Sequence, residues 1–146
     1  MRRKVAGQFG DLITETERTP DLLHEAGYGY VLDWCMDDEP VWPRTRGGRI
    51  LSMPYPQELN DSAAIIGRNL SAREFSDMII DQFDEMLEQA KEQPLVVGIA
   101  LHSMIARQPF RLRQLRRALT HVARHRELCW LATVGHIAKA FSGQPV

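Results

Sequence analysis

Two residues stand where a parallel α/β fold keeps its chemistry. His102 follows the apolar, β-branched run Leu95-Val96-Val97-Gly98-Ile99-Ala100-Leu101, and Asp33 follows Tyr28-Gly29-Tyr30-Val31-Leu32. Each run reads as a strand, the first of a kind buried on both faces. That reading puts both side chains at strand C-terminal ends, where catalytic and ligand-binding groups gather. An imidazole at such a place passes protons near neutral pH, and a neighbouring aspartate orients the ring and favours its protonated form. The plainer readings are a hydrogen-bonded core histidine and a loop-capping carboxylate.

The other spacings carry less. His121 and His125 are i, i+4 on a helix, as zinc ligands would be, but Val122 occupies the place of the glutamate in the zinc-protease pattern, so they read as surface histidines. Arg46-Gly47-Gly48 matches neither a phosphate loop nor a dinucleotide fingerprint. Seven arginines between 107 and 126 complement seven acids between 71 and 92, which favours two outer helices pairing over a nucleic-acid surface. Cys35 and Cys129 have no CxxC neighbour and read as thiols.

The elements that must position these residues alternate. Thr19-Pro20 opens a short helix, Pro20–Ala26, that Gly27 ends before the strand leading to Asp33. Asp33, Asp37, Asp38, Glu39, two prolines and Gly47-Gly48 make a loop, and Arg49–Met53 reads as the next strand, stopped by Pro54 and Pro56. Gln57-Glu58-Leu59-Asn60-Asp61 has the turn chemistry of a site wall. Ser71-Ala72-Arg73-Glu74 is a capping box opening a helix whose apolar stripe runs through Phe75, Met78, Ile79, Phe83, Met86, Leu87 and Ala90. A helix over about Arg111–His125, a strand Leu128–Ala132 and a helix from near Thr133 follow. Strands alternating with helices indicate βαβ units and a parallel sheet. Residues 1–18 read as an irregular N-terminal segment and 19–142 as one folded part.

Composition narrows the partners. The 146 residues, 44% hydrophobic and 25% charged, suit one ordinary globular domain. A net charge of −1 gives no long-range positive field, so no nucleic acid is expected as a partner. Met1-Arg2-Arg3-Lys4 precedes no apolar run of signal-peptide length, and the seven residues Leu95–Leu101 fall far short of the roughly 20 that cross a bilayer. The expected location is cytoplasmic, with no membrane partner.

The chain resembles the C-terminal half of the polysaccharide deacetylase family, in the cytoplasmic branch that includes allantoinase-type members. The strings that carry the resemblance are TPDLLHEAGYGYVLDW (19–34), DDEPVW (37–42), SMPYPQELND (52–61), EFSDMIIDQFDEMLEQ (74–89), PLVVGIALH (94–102) and QPFRLRQLRRAL (108–119). The resemblance implies a partial (β/α) barrel with parallel strands and outer helices. It also implies hydrolysis of non-peptide carbon–nitrogen bonds such as N-acetyl groups of amino sugars. His102 looks like the late Leu-His motif, whose imidazole protonates the leaving amine, and Asp33 like the Asp-Trp motif, whose carboxylate tunes that histidine. Glu58, Asn60, Asp61, Trp34 and Trp42 match positions that border the substrate.

The departures are as informative as the matches. The family's early Asp pair and its metal-binding His-x-x-x-His, which precedes the Leu-His motif, have no counterpart; His121 and His125 come after that motif. No cofactor is therefore expected in this chain, although the family often uses a divalent metal such as zinc. The arginine segment expected near Ala6–Gly10 is not reproduced, and Ser103-Met104 depart from the family's pattern. A complete barrel takes about 250 residues. The chain is thus expected to be truncated and weakly active or inactive alone, its partners an oligosaccharide or small amide substrate and, to close the barrel, a second copy or a missing N-terminal half. The alternative is a non-catalytic binding or assembly module derived from the same fold.

Overall fold

The structure is a computed structural model and describes residues 6–10 and 14–143. The basic start of the chain lies outside the described residues. The chain forms two compact units, one of Met1–Tyr55 with Ala132–Val146 and one of Pro56–Leu131.

The first unit is built on a parallel sheet of three short strands, β1 (Gly7–Gln8), β2 (Tyr30–Val31) and β5 (Leu51–Ser52), in the order β1-β2-β5. Gly7 pairs with Tyr30, and Tyr30 with Leu51. A strand thus falls inside the stretch read as irregular. Glycine is needed at position 7, because a Cβ there would sit 2.0 Å from the Tyr30 ring. Helix α1 (Thr19–Glu25) makes the crossover, with Pro20 in its first turn, and Gly27 (φ 87°) takes the chain out of it.

The strand expected over Arg49–Met53 is divided. Arg49 belongs to an antiparallel hairpin of β3 (Arg44–Thr45) and β4 (Gly48–Arg49), and only Leu51–Ser52 joins the parallel sheet. Gly48, at φ 149°, supplies the backbone that the tight turn requires. Arg46 in that turn pairs with Asp21 and Glu25 of α1. Helix α5 (Val134–Phe141) is capped by the Thr133 hydroxyl, which accepts from the His136 N–H, and buries Ala138 against Leu51 and Met53.

The second unit is mostly helical. Helix α2 (Ala72–Gln89) starts with the expected capping box: Ser71 accepts from the Glu74 N–H, and Glu74 accepts from the Ser71 N–H. Such a cap contributes about 1 kcal/mol. Phe75, Ile79, Phe83 and Met86 form the buried stripe, at spacings of four and three. Facing it is α4 (Pro109–Arg124), which buries Leu115 and Ala118. Small Ser76 is buried at this contact and donates to the Gln114 carbonyl at 2.9 Å. The expected charge pairing is present in Arg117 with Asp77 and His121 with Asp84.

Two expected strands are absent from the second unit. Leu95–Leu101 forms no strand: Val97 and Ile99 pack on the core of the unit, but residues 95–100 are only half-buried, Leu101 is exposed, and only Ala100 pairs, in a parallel bridge with Asn60. The physical reason is Pro56, whose ring lies against Gly98: a Cβ there would be 2.8 Å from it, and proline offers no N–H to a ladder. Leu128–Ala132 also forms no ladder, and Leu128, Trp130 and Leu131 are exposed. β-propensity needs a partner strand to become structure, and this segment has none among the described residues.

Candidate active site

The register of the one parallel bridge assembles the site. Asn60 and Ala100 stand side by side, the Ala100 N–H donating to the Leu59 carbonyl at 2.9 Å and the Asp61 N–H to the Ala100 carbonyl at 3.1 Å. Both chains then leave in the same direction, which brings Asp61 to His102. The Asp61 carboxylate accepts the His102 backbone N–H at 2.9 and 3.1 Å, and the ring Nδ1 lies 2.7 Å from its Oδ1. Asp61 is 0% exposed, whereas the His102 side chain is 45% exposed.

This geometry fixes the tautomer. A carboxylate can only accept, so Nδ1 carries the hydrogen and Nε2 is left as the atom that exchanges a proton. Two short elements hold the pair in place. His102 sits at the N-cap of α3 (Ser103–Ala106) with extended backbone, and Asp61 opens a six-residue π-helix, Ser62–Gly67, that buries Ala64 and Ile65. Asn60 Oδ1 accepts from the Ser62 N–H at 3.0 Å, turning the chain into that helix, and Asn69 (φ 56°) ends the turn beyond it. Behind the dyad, Asp61, Ile65, Phe75, Leu101 and Arg111 line a small apolar cleft with space for about one water molecule.

The remaining expected site residues have other surroundings. Glu58 is exposed and paired with Arg68 at 3.2 Å. Asp33 belongs to the first unit, where it is 6% exposed and accepts the Gly10 N–H at 2.7 Å. Trp34 follows it, with its indole N–H on Glu15 and its carbonyl accepting the Ser52 hydroxyl. Trp42 packs beside Leu51 and Met53, with the Arg49 guanidinium 4.7 Å above its ring. The carboxylate on the His102 ring is thus that of Asp61, expected as a wall residue, while Asp33 has its own partners in the other unit.

Sequence reasoning passed over Glu15 altogether. Its carboxyl is pushed up to about 7, first by burial and then by contact with Asp33, with the Trp34 donor pulling the other way. The one available signal was an acid within reach of an Asp-Trp pair, and the lack of periodicity in 1–18 hid it.

The metal question has a structural answer among the described residues. No group of three or more His, Cys, Asp or Glu side chains stands together as a metal site. His121 Nε2 is engaged by Asp84, and His125 Nδ1 contacts the His121 carbonyl at 3.0 Å, so neither is poised as a ligand. Among the described residues the side chains do not fit a metal centre.

Parallel strands and helices of this kind make a partial (β/α) barrel architecture, and solved structures share the fold. Puue allantoinase is 27% identical over 84% of this chain and 41% of its own, with a TM-score of 0.76. A Pseudomonas aeruginosa PAO1 structure described as a polysaccharide deacetylase is also 27% identical over the same shares, with a TM-score of 0.73. A Mycobacterium smegmatis structure of the same description, 18% identical, covers 94% of this chain and 49% of its own at a TM-score of 0.81, which speaks to the fold. No family model and no curated protein matches the chain. The chain is similar to polysaccharide deacetylase and allantoinase structures, with partial (β/α) barrel architecture, and it spans less than half the length of these structures. Among the described residues no helix is long and apolar enough to cross a membrane.

Proposed function

We propose that this chain supplies the proton-donating part of a hydrolase that cleaves non-peptide carbon–nitrogen bonds, such as the N-acetyl groups of amino sugars. The observation that carries the reading is the His102–Asp61 dyad, with Nδ1 held by a buried carboxylate and Nε2 on the open side. When a nucleophile adds to the amide carbonyl, the tetrahedral intermediate collapses by expelling nitrogen, and Nε2–H delivers the proton that lets it leave as an amine. The deacetylase and allantoinase likenesses support the reaction class. Glu58, Asn60, Asp61, Trp34 and Trp42 as substrate-binding residues, Asp33 as a catalytic carboxylate that tunes the acid and a cytoplasmic location rest on the sequence resemblance and composition. Water activation comes from outside the described dyad, so on its own the chain is slow or silent with water.

A nucleophile that needs no activation tests this. With N-acetylglucosamine oligomers and excess hydroxylamine, the chain should form acetohydroxamate, and His102→Ala should slow that reaction by roughly 10²-fold. The same variant should unfold within about 1 kcal/mol of the parent, because Asp61 keeps the backbone N–H of residue 102. Equal rates in the two proteins would overturn the acid role.

The exposed Leu128, Trp130 and Leu131 favour a second reading, an assembly module that covers this apolar stretch with another chain. Its expected mark is a mass above that of the monomer in sedimentation at micromolar concentration. A monomer at every concentration argues against self-assembly.

A further inference from the structure

The first unit holds a pair of acids for which the proposed hydrolysis has no use as a pair. Glu15 and Asp33 are in side-chain contact. One oxygen of each is satisfied: Asp33 Oδ1 accepts the Gly10 N–H at 2.7 Å, and Glu15 Oε2 accepts the Trp34 indole N–H. The other two, Glu15 Oε1 and Asp33 Oδ2, are buried and meet no donor among the described residues. Two ionised carboxylates in this arrangement repel each other and cannot hydrogen-bond, since neither has a hydrogen to give. A single added proton removes both costs.

We infer that Glu15 and Asp33 share one proton at neutral pH, carried on Glu15, whose hydroxyl donates to Asp33 Oδ2 and holds that carboxylate in its rotamer. Asp33 already accepts a short backbone N–H bond from Gly10, which leaves its Oδ2 as the acceptor for the shared hydrogen. Glu15 is the partner that keeps the proton, its carboxyl lying near 7 through burial and the Asp33 charge. Among the described residues Asp33 is the charged group acting on Glu15. Glu17 and Arg18, on the same stretch of chain, are exposed, and Gly10 on the facing strand end offers only its backbone. Space is tight as well, since a Cβ at Gly10 would meet Asp33 Oδ1 at 3.2 Å. Glu15 is thus a positioning residue for Asp33, whether or not Asp33 meets a substrate.

Trp34 reports on the pair directly, because its indole N–H bonds the carboxyl that titrates. Tryptophan fluorescence of the full chain between pH 5 and 9 should show a transition with a midpoint near 7. Glu15→Gln, which cannot ionise but keeps an N–H for Asp33, should abolish it. Asp33→Asn should move the midpoint down by at least one pH unit. Trp34→Phe should remove the signal although Trp42 and Trp130 remain. A transition that persists in Glu15→Gln belongs to another group and overturns the inference. Should the variants fold poorly, carboxyl ¹³C titration of the unmodified chain decides the matter. One glutamate titrating near 7 supports the shared proton, and all glutamates near their ordinary value of 4.5 refute it.

Discussion

Asp61→Ala should lower the unfolding free energy of the chain by about 3 kcal/mol, read from the midpoint of a urea transition. Asp61 is 0% exposed and receives three contacts from one residue: two from the His102 backbone N–H at 2.9 and 3.1 Å, and one from Nδ1 at 2.7 Å. Truncation strands that N–H in the interior and leaves a void where the carboxylate stood, and both effects destabilise. Asp61→Asn separates fold from chemistry. The amide oxygen can still take the backbone N–H, so much of the stability should return. Its NH₂ would donate to Nδ1, which strips the hydrogen from that nitrogen and inverts the tautomer. Ring ¹⁵N shifts should therefore show Nδ1 protonated in the parent and bare in Asp61→Asn, with hydroxylamine-driven cleavage reduced as in His102→Ala. Full hydroxylamine activity in Asp61→Asn would show that the carboxylate does not orient the acid.

Ile79→Ala should cost about 3 kcal/mol, within the range of 2–5 measured when buried Ile or Leu is cut to Ala. Ile79 is 0% exposed at the centre of the α2–α4 contact, in one cluster with Phe75, Ile105, Leu115 and Ala118. The helices on either side are regular and cannot collapse into the space, so transfer and cavity costs add. Leu128→Ala is the matched control: at 68% exposure it should change stability by less than about 0.5 kcal/mol. Leu59, Ala64 and Ile65, which flank Asp61, belong to the same cluster as Ile79. Loosening that cluster should therefore also speed amide exchange at residues 59–65, a local effect that the control lacks.

The acid pair adds a pH dependence with a definite sign. Glu15 rises from 4.5 to about 7 on folding, so between those values the folded chain binds the extra proton. By linkage, stability is greatest below 4.5 as far as this group is concerned and falls as pH climbs through 7.

Legibility of the fold followed the range of the interactions involved. The start and buried face of helix α2 could be read from the sequence, because a capping box and a stripe at Phe75, Ile79, Phe83 and Met86 are local facts that packing only confirms, whereas its end at Gln89 falls short of the Gln93-Pro94 stop that the sequence suggests. The runs at Leu95–Leu101 and Leu128–Ala132 misled because a strand is a property of two segments: Pro56 denies a ladder to the first, and the second meets no partner among the described residues. His102 stood out through the apolar run before it. Its true carboxylate did not, being 41 residues away and delivered by the register of a single bridge. Glu15 was illegible for a different reason, since nothing in an acid's immediate neighbours tells that its oxygens will be buried against another acid.

The lone Asn60–Ala100 bridge sets the tolerance of this chain to length changes. Residues added or lost in the turns after Gly67 or after Gln89 displace only connections, and the imidazole keeps its acceptor. Deleting Leu101, or inserting one residue between Asn60 and Asp61, rotates one of the two side chains to the opposite side of the backbone, and the hydrogen bond between ring and carboxylate is lost while the helices around it still form.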